Sequence, residues 1–167
     1  MIDALIRDLR QPEYIHVLLN PLPVYGLAVA LIGLLIAVFL RSRSGQIATL
    51  ALVLLSSAMA WPVYEFGERA KDPVLSMENE PGQAWIEAHE DRAEDCILFF
   101  YGLAALAAVA IALPLRWPKF ALPLAIVTAV LGLVVTGMGA YIGYAGGKIR
   151  HHEFRNEPPP TKPAGRD

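Results

Sequence analysis

Four long apolar runs occupy most of this chain, and they constrain its fold more than any other feature. They cover approximately residues 17–40, 47–66, 96–113 and 120–146. Each has roughly the 20 residues that a helix needs to cross the hydrocarbon core of a bilayer, at about 1.5 Å per residue. The first and last runs contain no charged residue, so they lack the polar face of a soluble helix. The sequence therefore predicts an integral membrane protein with four transmembrane helices.

The connections between these runs predict the architecture. Residues 41–46 and 114–119 are short loops, so each joins two spans into an antiparallel hairpin. The long polar segment 67–95 connects the two hairpins on the opposite side. We therefore expect an all-α fold, a four-helix transmembrane bundle with antiparallel up-down-up-down topology. At this chain length we expect a single transmembrane domain over residues 1–154.

Two terminal segments flank the predicted bundle. Ile2, Leu5, Ile6 and Leu9 follow helical spacing, which predicts a short N-terminal helix with one apolar stripe. We expect it to lie in the membrane interface, and the alternative is that its apolar stripe packs on the rest of the protein. Residues 155–167 are rich in proline, which predicts an extended tail that is either disordered or laid along a partner.

Prolines and glycines predict local features of the spans. Pro23 predicts that regular helix in the first span begins close to it, and Pro62 predicts a kink in the second. In the fourth span, Gly139, Gly143 and Gly147 recur every four residues. This spacing places them on one helix face, where another helix of the bundle is expected to pack closely.

The distribution of charge bears on orientation. We call the side with both termini side A and the side with the two short loops side B. Side B carries Arg41, Arg43, Arg116 and Lys119 and no acidic residue, whereas all sixteen Asp and Glu residues belong to side A. The density of basic residues in short loops favours a cytoplasmic side B and a periplasmic side A, although the raw count of Lys and Arg near the span ends favours the reverse. We expect the termini to be periplasmic.

All four histidines of the chain, including His152, fall on side A. His16 precedes the first span, Glu65 ends the second, His89 precedes the third and His151 follows the fourth. Every span therefore offers one imidazole or carboxylate at a similar depth. The segment 85–95 predicts a helix continuing into the third span, with His89 on the face that points into the bundle.

These four residues form a candidate metal site. Three imidazoles and a carboxylate, from His16, Glu65, His89 and His151, are a competent ligand set for zinc, copper or iron. Nearby charged side chains are candidates for orienting the ring nitrogens, namely Glu90, Arg92 and Arg150. Haem is less favoured, because no span interior contains a histidine. The competing interpretation is that side A holds most of the extramembrane residues, so the histidines fall there by chance and serve as ordinary interfacial residues.

Composition excludes some functions and leaves others open. A net charge of −2 without a basic cluster argues against nucleic-acid binding, and the absence of ionisable residues at the span centres argues against transport. No arrangement for nucleophilic catalysis is recognisable, so enzymatic activity is left open. We expect a small membrane protein with a metal or surface haem site and a redox or metal-handling role. The alternative is a non-catalytic accessory subunit of a larger membrane complex, with other membrane subunits as partners besides the lipid bilayer.

The two ends of the bundle carry a resemblance. The segments HVLLNPLPVY (His16–Tyr25) and GGKIRHHEF (Gly146–Phe154) resemble the ends of an uncharacterised bacterial family of four-span integral membrane proteins. The resemblance implies that His16, His89 and His151 occupy the family's histidine positions and Glu65 its acidic position, and it implies the bacterial inner membrane. The chain departs from the pattern by a single histidine in the opening segment and a longer, more acidic central loop. The family brings no reaction with it.

Overall fold

The computed structural model describes residues 2–160, and within this range all regular secondary structure is helical. The helices are α1 (Ile2–Asp8), α2 (Pro12–Leu19), α3 (Leu27–Phe39), α4 (Arg43–Ala58), α5 (Ala60–Met77), α6 (Glu80–Arg116) and α7 (Ala121–Arg150). A π-helical turn (Leu22–Gly26) joins α2 to α3, and short 3-10 turns precede and follow α7. The part of the predicted tail at residues 161–167 lies outside the described residues.

Within the described residues, four helical segments are long and apolar enough to cross a membrane. They are Pro12–Phe39, Arg43–Met77, Glu80–Arg116 and Pro118–Arg150, with 28, 35, 37 and 33 residues. This confirms the predicted all-α bundle and supports a multi-pass membrane protein. The helices are longer than the apolar runs, because α5 continues to Met77 and α6 already begins at Glu80. The bundle therefore extends beyond the apolar runs on side A, where the sequence alone predicts a long connecting segment.

Small and aliphatic side chains fill the core, and large apolar ones cover the outside. Leu27, Leu34, Leu50 and Ala107 are completely buried between the helices. Exposed large side chains such as Phe39, at 86% exposure, surround the spans. A water-soluble bundle would present polar residues there, whereas lipid tails accept an apolar outer surface.

Both membrane-crossing segments of the first hairpin (residues 12–77) are interrupted. In the first segment the π-helical turn contains Pro23, and α2 already begins at Pro12, so the prediction that regular helix begins near Pro23 is wrong. In the second segment α4 ends at Ala58 and α5 begins at Ala60. Pro62 causes this break because it has no N–H to donate to the carbonyl of Ala58, four residues earlier. The break at Met59 lies close to the position where the sequence predicts a kink.

The second hairpin (residues 80–150) consists of two long helices, α6 and α7, without such breaks. The predicted glycine face of α7 is only partly used for packing. Side-chain atoms of Val24 and Phe100 lie 3.1 and 3.4 Å from the position of an added Cβ at Gly139. The corresponding positions at Gly143 and Gly147 have no such atom within 4 Å, so this half of the face is open.

The chain termini of the described range meet the bundle differently. In α1, Ile2, Leu5 and Ile6 remain exposed, which agrees with a helix in the membrane interface. Residues 155–160 have no regular helix or strand, but Arg155 fastens this segment to the bundle. Its guanidinium donates to the carbonyls of Lys148 and Ile149 on α7 and lies 3.6 Å from the carboxylate of Glu78.

Candidate two-histidine site

His16 and His89 meet at the side-A mouth of the bundle. Their ring centroids lie 6.2 Å apart and the ring planes are inclined at 89°. His16 belongs to α2 of the first hairpin and His89 to α6 of the second. Both rings line one cleft of about 690 Å³. The structure thus brings together two histidines that are separated by more than seventy positions in the chain.

Each ring is oriented by a main-chain carbonyl. Nδ1 of His16 lies 2.8 Å from the carbonyl oxygen of Val63, and Nδ1 of His89 lies 3.0 Å from that of Ile142. A carbonyl oxygen only accepts hydrogen bonds, so Nδ1 must carry the proton in both rings. In the neutral ring Nε2 then keeps a free lone pair. Neither Nε2 atom has a hydrogen-bond partner among the described residues.

A glycine lies beneath each ring. An added Cβ at Gly67 would lie 3.0 Å from Cε1 and Nδ1 of His16, and one at Gly146 would lie 3.1 Å from the same atoms of His89. Gly67 follows Val63 by one helical turn, and Gly146 follows Ile142 by one turn. The two hairpins therefore repeat one arrangement. In each, a histidine on the first membrane-crossing segment packs on a glycine of the second segment, and its Nδ1 donates to the main-chain carbonyl one turn before that glycine.

The cleft has an apolar floor and a polar rim. Val24, Phe100 and Ile142 line its floor, together with the open glycine Gly143. The rim carries charged groups that include Glu68, Lys71, Glu90 and Arg150. Two of these are already paired, since Nζ of Lys71 lies 2.5 Å from a carboxylate oxygen of Glu90. The interior is therefore suited to an apolar group, and the rim to contact with water and lipid headgroups.

The other two predicted ligands have different partners. Glu65 lies 3.5 Å from the guanidinium of Arg69 on an exposed part of α5. His151 lines the rim of the cleft, but its Nδ1 lies 2.9 Å from Glu153 and its ring stacks on Phe154. Within residues 2–160 no group of three or more His, Cys, Asp or Glu side chains is arranged to hold a metal ion. The four-ligand site stays a prediction, and the structure assembles its two histidines His16 and His89.

The charged residues expected to orient the rings interact elsewhere. Arg92 donates to the carbonyl of Tyr141 at 2.8 Å, and its guanidinium lies 4.0 Å from the centre of the Tyr141 aromatic ring. Glu90 pairs with Lys71, and Arg150 lies 3.3 Å from Glu78. Main-chain carbonyls take the orienting role instead. Residue type does not reveal such acceptors, although the two glycines beside them are a signal in the sequence.

Comparison with known proteins identifies no relative in which this site could be compared. No family model, curated protein or solved structure matches the chain. The resemblance to a bacterial four-span family therefore stays a prediction, and the functional argument depends on the site alone.

Proposed function

We propose that this is a multi-pass protein of the bacterial inner membrane that binds a metal ion through Nε2 of His16 and His89, in a redox or metal-handling role. One observation carries the proposal: two imidazoles from different hairpins line one cleft at a centroid distance of 6.2 Å, each with Nδ1 bonded to a carbonyl and Nε2 unbonded. We place this site at the periplasmic face.

The hydrogen bonds of the rings favour metal binding over a purely structural role. Histidines that bind metals usually donate their other ring N–H to a carbonyl or carboxylate, which sets the tautomer and raises the basicity of the ligating nitrogen. His16 and His89 both meet this condition through main-chain oxygens. Each Nε2 keeps a lone pair that no described residue uses, so both nitrogens are available to a metal ion. A metal ion would use both lone pairs at once.

The test is the metal content of the purified protein. The protein is purified in detergent with a tag that contains no histidine, and bound metals are measured by mass spectrometry. We expect a stoichiometric metal in wild type and its loss in His16→Ala and in His89→Ala. His152→Ala is the matched control, because this exposed histidine is 4.0 Å from Glu78 and outside the cleft. Equal metal content in wild type and in the His16→Ala/His89→Ala double variant would overturn the proposal.

Folding of the variants can be followed with the single cysteine. Cys96 is 9% exposed in α6, so a thiol-reactive fluorescent maleimide labels it mainly on unfolding. A variant that has lost metal but melts as an intact bundle has lost a ligand, whereas one that is labelled immediately has lost its fold. In that second case His16→Gln and His89→Gln, which keep more of the side-chain volume, replace the alanine variants. A metal-free wild type that co-purifies with constant partner subunits would instead favour the accessory-subunit hypothesis.

The proposed orientation has its own test. A C-terminal fusion to a phosphatase that is active only in the periplasm should be active, and a fusion to a fluorescent protein that folds only in the cytoplasm should be dark. The expectation rests on the basic residues of the two short side-B loops, which favour a cytoplasmic side B. They are Arg41, Arg43, Arg116 and Lys119. The reverse result would move the site to the cytoplasmic face without affecting its ligands.

A further inference from the structure

The distance between the two rings indicates how a shared ion would be coordinated. Metal–nitrogen bonds measure about 2.0–2.1 Å and a ring centre lies roughly 1.1 Å behind its nitrogen, so imidazoles on opposite sides of one ion have centroids about 6.2–6.4 Å apart. At a tetrahedral angle the same rings would be about 5.1 Å apart. The centroids of His16 and His89 are 6.2 Å apart. The spacing equals that of two ligands in trans whose Nε2 atoms face one ion, and it exceeds by about 1 Å the spacing of a tetrahedral pair.

Two ligands in trans occupy the axial positions of an ion and leave its equatorial coordination positions to be filled. In square-planar or octahedral sites these positions take further nitrogen or oxygen donors. Among residues 2–160 no third His, Cys, Asp or Glu joins the histidine pair to form such a group. A tetrapyrrole brings its own four nitrogens and requires only axial ligands from the protein.

The surroundings of the pair suit a large flat apolar molecule. The cleft of about 690 Å³ falls within the range of roughly 300–1,000 Å³ typical of sites for small organic ligands and cofactors. Its wall includes Gly143 and Gly147, where an added Cβ would meet no side-chain atom within 4 Å. An open glycine surface beside an apolar floor allows a planar ring system to approach the main chain of α7 closely.

We propose that the ligand is an iron tetrapyrrole of the haem type, with His16 and His89 as its two axial ligands. This deepens the proposed function and rests on it. It also reverses the preference from the sequence, which disfavours haem because the span interiors lack histidine. The pair lies in the helical extensions on side A, beyond the apolar runs. With both axial positions held by protein, no position is open for a substrate, so the haem would serve electron transfer. A one-electron donor protein would reduce iron(III) to iron(II), and a one-electron acceptor protein would take that electron and return the iron to iron(III).

Titration with hemin tests this directly. Full-length protein in detergent or in nanodiscs is titrated with iron protoporphyrin, and absorption is recorded before and after reduction with dithionite. We expect saturable binding of one equivalent and a six-coordinate, low-spin spectrum in both oxidation states. Because the ring planes are inclined at 89°, the oxidised form should give the strongly anisotropic low-spin EPR signal of perpendicular axial imidazoles. A high-spin spectrum would mean that the two histidines do not both ligate the iron.

Two glycine variants distinguish an effect on the cleft from a general effect on α7. Gly143 and Gly137 both lie on α7 and both have open space beyond an added Cβ, but only Gly143 lines the cleft. We expect Gly143→Leu to weaken hemin binding at least tenfold and Gly137→Leu to leave it unchanged. His16→Ala and His89→Ala should each abolish the six-coordinate spectrum, and added imidazole should restore it. Equal effects of the two leucine variants would place the hemin elsewhere.

The outcomes distinguish this inference from the function on which it rests. Titrations with Cu²⁺ and Zn²⁺ run in parallel with hemin on the same preparations. Binding of either ion through His16 and His89, without low-spin hemin binding, would overturn the haem assignment and keep the metal site. Binding of none of the three probes would overturn both. Hemin binding that survives the His16→Ala/His89→Ala double variant would show adsorption to the detergent-facing surface and would also overturn the assignment.

Discussion

The two hairpins present their histidines in the same way but are built differently. In the first, a π-helical turn and a break at Met59 divide both membrane-crossing segments. In the second, α6 and α7 run without such breaks from one end to the other. The tail also fastens the end of the second hairpin, where Arg155 contacts the end of α7 and Glu78, the residue that follows α5. We infer that His89 is held on a rigid support and His16 on one that can adjust.

This comparison shows that the placement of each histidine ring depends on its local contacts with one glycine and one carbonyl, and not on whether the helix is continuous. A histidine, a glycine and a carbonyl one turn before the glycine give the same ring placement on broken and unbroken helices. An adjustable half and a rigid half would allow the pair to close on a ligand through movement of α2 and α5. The variants Gly67→Ala, Gly146→Ala and Pro62→Ala test whether the two halves differ in this way.

The largest effect is expected from adding a methyl group under each ring. An alanine Cβ at Gly146 would lie 3.1 Å from Nδ1 of His89, and one at Gly67 would lie 3.0 Å from Nδ1 of His16. The ring must move, which weakens its bond to the carbonyl. Loss of such orienting contacts typically costs roughly 10–100-fold in metal affinity. We expect Gly146→Ala to approach the upper end of this range and Gly67→Ala the lower, measured by titration with the probe that wild type binds.

Gly137→Ala is the matched control for these two variants. It adds the same methyl group to α7, where no side-chain atom lies within 4 Å. Its affinity should equal that of wild type. Equal losses in Gly146→Ala and Gly67→Ala would contradict the idea that the first hairpin adjusts more readily than the second.

The next prediction concerns the contact between the hairpins inside the membrane. An added Cβ at Gly132 would lie 2.5 Å from Cδ2 of Leu31, which is itself only 2% exposed. Overpacking of this kind costs about 1–3 kcal/mol. We expect Gly132→Ala to lower the stability of the bundle by this amount in a Cys96 labelling melt, and Gly137→Ala not to lower it. An unchanged melt in Gly132→Ala would mean that the hairpins separate easily and that the ligand, not the core, holds them together.

Removing the break in the first hairpin should have a moderate effect. Pro62→Ala supplies the missing N–H to the carbonyl of Ala58, so α4 and α5 can join into one helix like those of the second hairpin. This would shift Val63 and Gly67 beneath His16. We expect a loss in affinity of roughly three- to tenfold, or up to about 1.4 kcal/mol, because α2 can follow the movement. A loss as large as that of Gly146→Ala would show that the first hairpin is as rigid as the second.

The sequence predicts the bundle more completely than it predicts the site. Long apolar runs require helices in a membrane, and the inward face of His89 follows from its helical spacing. Hydropathy does not reveal that α5 and α6 continue through the polar residues 67–84, whereas the helix over residues 85–95 is predicted from its spacing and is part of α6. The acceptors for the two rings are main-chain oxygens, which every residue type offers. What the sequence does contain is a glycine one turn after each acceptor, at Gly67 and Gly146, and this signal becomes visible only once the facing helices are known.

The smallest effect concerns the fastening of the second hairpin by the tail. Lys148 is 4% exposed and pairs with Glu157, and this ammonium holds the pKa of the Glu157 carboxyl below its usual value of 4.5. A carboxyl whose pKa is lowered in the folded state contributes stability above its unfolded pKa and loses that contribution as the pH falls through the folded one. Glu157→Gln should therefore melt slightly below wild type at pH 7, and the difference should disappear as the pH is lowered below about 4. Glu153→Gln is a useful comparison, since Glu153 is exposed and pairs with His151 at 2.9 Å, away from Lys148. If Glu157→Gln also lowered the affinity for the ligand at pH 7, the tail would contribute to the rigid placement of His89 and not only to the stability of α7.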